Sequence, residues 1–150
     1  MFFRIVIAVI AVASATTAVI AQSDPIEARR KEMKAMGSHI YGGLNRMQRG
    51  QEPFDKAKVD AAFVQFAASL EKLPTFFSEG SKSGTKPGEE FRTSDKIWTE
   101  KKEFEGRFAK LAKDAADARP KITNVDTLKA TYASIRRTCD GCHETYLIKN

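Results

Sequence analysis

Five consecutive residues, Cys139-Asp140-Gly141-Cys142-His143, contain both cysteines of this chain and one of its two histidines. Cys-x-x-Cys-His is the attachment signature of a c-type haem. On a helix, thiols three residues apart lie on adjacent parts of one face, so each can form a thioether to a porphyrin vinyl. The histidine that follows the second thiol then stands beneath the ring, where its imidazole can ligate iron. Other chemistries fit less well. A thioredoxin-like pair belongs near a helix N-terminus in a βαβ setting. A zinc site lacks ligands, because His39 is the only other histidine. A disulfide closing so short a loop stabilises little.

A haem also has a distal face, which another helix must cover. Met33, Met36 and Met47 are the thioethers near the start of the exported domain, and His39 is the rival imidazole. A methionine in a helical stripe usually fills core. His39 is one position away from Ile40 and edges towards solvent. Periodicity alone leaves the choice among them open.

Four helical segments must position these groups. The first runs from about Asp24 to Arg49, with Ile26, Met33, Ile40, Leu44 and Met47 at three-, four- and seven-residue spacings. Asp24-Pro25 starts it, and Gly50 and Pro53 end it. The second opens at Asp55, runs to about Leu73 and shows Val59, Phe63, Phe66, Leu70 and Leu73 on one face. The third starts near Ser94 or Asp95 and presents Ile97, Lys101, Phe104, Phe108, Leu111 and Ala115 as a seam in which only Lys101 is polar. The fourth, capped by Asn124, runs through Leu128, Tyr132, Ile135, Cys139, Cys142 and Tyr146. No stretch shows sustained strand alternation. The pattern predicts an all-α protein, an antiparallel four-helix bundle whose long crossover, Pro74 to Thr93, joins helices two and three.

Residues 1–21 read as a cleaved secretory signal: Arg4 precedes an uncharged Ile/Val/Ala run from Ile5 to Ile20, and Val19-Ile20-Ala21 offers small residues for cleavage. An uncleaved anchor fits less well, the run being a little shorter than a spanning helix prefers. The haem-binding bundle is then 22–150, periplasmic and exposed to an oxidising compartment. The composition, 42% hydrophobic and 29% charged, excludes wholesale disorder and a polytopic membrane protein. Membrane contact is expected only during export or as weak surface association. The chain carries a net charge of +6, falling to about +5 once Arg4 is lost, which suits an acidic redox partner. Scattered lysines without an aromatic platform argue against nucleic acid.

The chain from residue 24 to 148 resembles the cytochrome c′ family, the class II c-type cytochromes, and in particular the low-spin cytochrome c-556 branch. Cys-x-x-Cys-His lies near the C-terminus, with Tyr146 three residues beyond its histidine. Arg29 stands four residues before Met33; Gly50-Gln51-Glu52-Pro53-Phe54-Asp55 opens helix two; Ile97-Trp98 follows the long loop. The resemblance implies a left-twisted four-helix bundle carrying one haem c. It implies thioethers at Cys139 and Cys142, a proximal bond from His143, Met33 at the sixth site and Arg29 near a haem propionate. It also implies a homodimer through helices one and two. High-spin relatives place a non-ligating apolar residue where Met33 stands. Leu147 departs from the pattern, since relatives commonly carry a basic residue there. The expected function is therefore electron transfer on a His/Met-ligated haem, with no enzymatic activity. The alternative is a gas-binding protein for nitric oxide or carbon monoxide whose iron is five-coordinate or labile.

Overall fold

A computed structural model describes residues 24–82 and 91–149. The expected signal, residues 1–21, lies outside the described residues, as does the middle of the long crossover. Helix α1 (Pro25–Gly37) begins where expected: the Asp24 carboxylate accepts from the Ile26 amide at 2.9 Å, and Pro25 occupies the first turn. It does not run unbroken to Arg49. The chain widens into a π turn at Ser38–Gly42 and resumes as the one-turn helix α2 (Asn45–Gln48). Two successive glycines hold the chain weakly in the α form here. At Gly43 a Cβ would stand 2.8 Å from the His39 carbonyl oxygen, so the close approach that follows the π turn needs glycine. The turn returns Ile40, Leu44 and Met47 to the core despite the break. Gly50, at φ +72°, then stops the helix in the left-handed region that glycine adopts most readily.

Helix α3 (Lys56–Lys72) is capped by Asp55, whose carboxylate accepts from the Lys58 amide at 3.1 Å. It buries Val59, Phe63, Phe66 and Leu70. The predicted third helix is in two pieces, α4 (Lys96–Thr99) and α5 (Lys101–Ala118), broken at Glu100. Lys101 accounts for its place in an apolar seam. Its ammonium donates to the Phe77 carbonyl at 3.0 Å and pairs with Glu105 at 3.0 Å, tying α5 to the crossover. Helix α6 (Val125–Tyr146) starts at a capping box in which the Asn124 side chain accepts from the amides of Asp126 and Thr127 and the Thr127 hydroxyl accepts from the Asn124 amide.

The early crossover is packed down. Phe77 is buried, the Trp98 indole donates to the Ser78 carbonyl at 2.9 Å, and the buried Ser81 hydroxyl donates to the Phe76 carbonyl at 2.9 Å. The late crossover forms β1 (Phe91–Thr93), antiparallel to β2 (Leu147–Lys149), with Thr93 opposite Leu147. No strand was expected; three residues are too few for alternation to register.

The result is the anticipated four-helix bundle, α1 with α2, α3, α4 with α5, and α6. α3 packs along both α1 and α5, and α5 packs on α6. α2 lies close against α6, whereas α1 and α6 make few close backbone approaches. The first and last helices therefore splay apart towards the end of α6 that carries the two cysteines. Tyr41 and Tyr132 pack edge to face at 5.0 Å beside this opening. Among the described residues, no helix is long and apolar enough to cross a membrane.

Candidate functional site

The space between α1 and α6 forms two adjoining cavities, of about 1050 Å³ and about 100 Å³. The larger is at the upper end of what small-molecule and cofactor pockets occupy. Four residues line both: Met33 from α1, Phe108 from α5, and Cys142 and His143 from α6. Cys139 lines the smaller cavity beside Tyr41, and Arg29 lines the larger. All five residues singled out in the sequence thus converge on one opening from opposite helices.

The helical period accounts for this convergence. Residues 139, 142 and 143 fall on one side of α6, and Arg29 and Met33, one turn apart, fall on one side of α1. Both thiols are free and half-buried, and burial pushes each above the ordinary thiol range. The Arg29 guanidinium is buried and stands 4.8 Å over the Phe77 ring. An arginine on a solvated surface would sit differently; a cation held inside a cavity wall suits a carboxylate.

The other methionines separate by position. Met47 is fully buried near the α3 cap, 3.4 Å from the Asp55 amide, and lines neither cavity. Met36 is buried and reaches only the smaller cavity. His39 is half-buried and lines neither. Among the four rivals, only Met33 shares both cavities with His143.

Three further residues were not anticipated. Arg107 on α5 donates to the Gly141 carbonyl at 3.1 Å and to the Thr145 hydroxyl at 3.4 Å, pairs with Glu103 at 2.9 Å, and lies 5.0 Å over the Tyr146 ring. It clamps the segment of α6 that bears the two cysteines. It flanks the Phe104–Phe108 seam, where alternation of exposed charges hid it. Tyr41 sets its buried hydroxyl against Cys139, and burial pushes its ionisation far above the usual phenol range. Thr93 has a buried, unpartnered hydroxyl, and it lines the larger cavity. Glu103 and Glu105, by contrast, are engaged in helix-surface ion pairs, as expected of solvated faces.

The donor set fits a porphyrin better than a bare ion. Among the described residues no cluster of His, Cys, Asp and Glu could hold a metal by itself. What the cavities provide is an apolar wall of Ile97, Phe77, Phe104 and Phe108, two thiols, an imidazole from α6 and a thioether from α1, and the buried hydroxyl of Thr93. A helical bundle opened between its first and last helices and furnished in this way defines a class, the haem-binding four-helix bundles.

Comparison with known proteins gives the family. The cytochrome c′ family model matches residues 24–147. Cytochrome c-556 of Rhodopseudomonas palustris is 38% identical over 144 residues, covering 95% of each chain, and cytochrome c′ of the same organism is 32% identical over 87% of this chain and 86% of its own. The NMR-validated structural model of oxidised R. palustris cytochrome c556 superposes with a TM-score of 0.74 at 37% identity, covering 86% of this chain and 99% of that one. R. palustris cytochrome c′ gives 0.75 at 32% identity, with the same coverage. The chain belongs to the cytochrome c′ family, and it is a cytochrome that carries covalently attached haem c.

Proposed function

We propose that this protein is a periplasmic one-electron carrier of the cytochrome c-556 type. In this reading Cys139 and Cys142 hold the haem through thioethers, His143 and Met33 are its axial ligands, and Arg29 faces a propionate. The observation that carries the proposal is the position of Met33, which lines the same two cavities as His143 from the opposite helix. When bound, haem c supplies the iron that gains and loses the electron.

The chain's own part is to hold its ligands still and keep water out. Met33 and His143 sit on helices docked by the bundle core, so neither has to travel between oxidation states. Phe77, Phe104 and Phe108 stack edge to face or tilted within 6.5 Å of one another and dry one side of the cavity. A soft thioether and an apolar wall both favour the less charged ferrous state and raise the potential. Arg107 holds the peptide between the two cysteines by its carbonyl, which braces the turn of α6 that bears His143.

Export is supported by the apolar leader. Arg30, Lys34 and Arg92 line the large cavity and outnumber the acidic Asp140 and Glu144 there, a small cationic excess that suits an acidic redox partner. A homodimer through the first two helices is part of the same proposal; Val64, 49% exposed on α3, would lie at its centre.

The absorption spectrum of the oxidised protein tests the reading. Expected are a low-spin spectrum with a thioether-to-iron charge-transfer band, and their loss in Met33→Ala. A high-spin spectrum with ready carbon monoxide binding in the unmutated protein would favour the gas-binding alternative. A Met33→Ala variant that stays low-spin would move the sixth bond to Met36 or His39.

A further inference from the structure

The crossover returns to the bundle as β1, and it does so at the large cavity. Thr93 and Leu147 are direct partners in the β1–β2 ladder, their side chains share one face of it, and both line the cavity. The Ser94 amide donates to the Tyr146 carbonyl at 2.9 Å, so β1 is fastened to the last residue of α6, three residues beyond His143. Within this fixed frame the Thr93 hydroxyl is buried and makes no hydrogen bond. A buried hydroxyl left unpaired is disfavoured, and native chains rarely keep one without a partner. Its neighbour Arg92 is exposed and lines the same cavity.

The ligand of this cavity is a haem, whose polar periphery consists of two carboxylates. Resting on the haem-carrying reading above, we propose that Thr93 and Arg92 form a second carboxylate site. Thr93 donates its hydroxyl to a haem propionate, and Arg92 supplies the charge at the rim. With Arg29 on α1 receiving one carboxylate, the two propionates are held from opposite walls. The two-stranded ladder thereby couples the end of the crossover to the cofactor as well as to α6.

The experiment uses the haem-loaded full protein and its Thr93→Val, Thr93→Ser and Arg92→Gln variants. Reduction potential is measured across pH, and the propionate bending band is followed by resonance Raman. The charged and titratable groups on the large cavity are Arg29, Arg30 and Lys34 from α1, Arg92 from β1, and Asp140, Glu144, the imidazole of His143 and the phenol of Tyr146 from α6. All but Arg92 are common to the wild type and every variant, so they cancel in the comparison. A donated hydroxyl stabilises the ionised carboxylate, and removing it raises the ionisation point. The inflection of potential against pH should therefore move up by about half a pH unit or more in Thr93→Val. Thr93→Ser should restore it, Arg92→Gln should move it in the same direction, and the Raman band should shift with it.

Superimposable pH profiles and Raman bands in wild type and Thr93→Val would overturn the proposal. If Thr93→Val does not fold, an unchanged profile together with an unmoved band in Arg92→Gln overturns it equally. A chain without covalent haem, by its alkaline pyridine spectrum, would instead defeat the haem-carrying reading beneath.

Discussion

Single side chains determine what this haem protein can do, and the decisive ones are few. Met33 is half-buried, and its place in the proposal comes from where α1 carries it, into the cavity that His143 also lines. Arg29 shows how much context changes a residue type: most arginines are solvated, yet this one is 5% exposed. Glu32, one position from Met33, anchors the same helix. Its carboxylate accepts from the Lys72 ammonium at 2.8 Å and the Ser69 hydroxyl at 2.6 Å, chiefly the former holding its carboxyl below the usual range. A carboxyl with a depressed folded value adds stability above its unfolded value, roughly pH 4, and loses it as pH falls through the folded one. Glu32→Gln should therefore be less stable than wild type at neutral pH. The gap should close in denaturant titrations carried out progressively further below pH 4. A gap that persists undiminished into acid would show that packing, and not the ionised carboxylate, links α1 to α3.

At the scale of elements, the breaks in the helices matter more than their lengths. The π turn and Gly43 redirect the first helix, so that α2 closes on α6 while α1 stands off from it. An unbroken helix from Asp24 to Arg49, the expectation from periodicity, would have no such change of direction. The break at Glu100 has a parallel use, because the Tyr146 hydroxyl donates to the Glu100 carboxylate at 3.3 Å and so fastens the end of α6. Helix α3 raises a different question. Its outward face carries Val64 among exposed alanines at positions 57, 61 and 68. If the first two helices form the proposed dimer, Val64→Glu should place two carboxylates in the interface and weaken association at least about tenfold. Sedimentation equilibrium reads this directly. A protein that is monomeric at all accessible concentrations, with or without the substitution, would remove the dimer from the proposal.

For the whole molecule, charge and the cavity act together. In the proposed carrier, a net charge of +6 and the excess of Arg30, Lys34 and Arg92 over Asp140 and Glu144 along the cavity would steer an acidic partner to that face. The second-order rate of electron transfer with an acidic redox protein should fall steeply as salt rises, by about tenfold or more between low and physiological ionic strength. An Arg30→Gln, Lys34→Gln double variant should flatten that dependence. A rate insensitive to salt would mean that encounter does not use this face.

Much of this was legible in the chain itself because it rests on local rules. Helix starts at Asp24, Asp55 and Asn124 follow from caps, and the core faces of α3, α5 and α6 follow from a 3.6-residue period. The spacing of Cys139, Cys142 and His143 specifies attachment chemistry without any knowledge of the fold. The remainder depends on partners distant in sequence. Lys101 reads as an oddity until the Phe77 carbonyl, 24 residues away, receives its proton donor. Arg107 reads as surface charge until Gly141 comes within 3.1 Å. The β1–β2 ladder joins strands too short to show a period, and Thr93 acquires meaning only from the cavity it closes. Sequence alone determined which atoms can bind a haem; which methionine shares both cavities with His143 was decided by the splaying of two helices, a property of packing that no local pattern encodes.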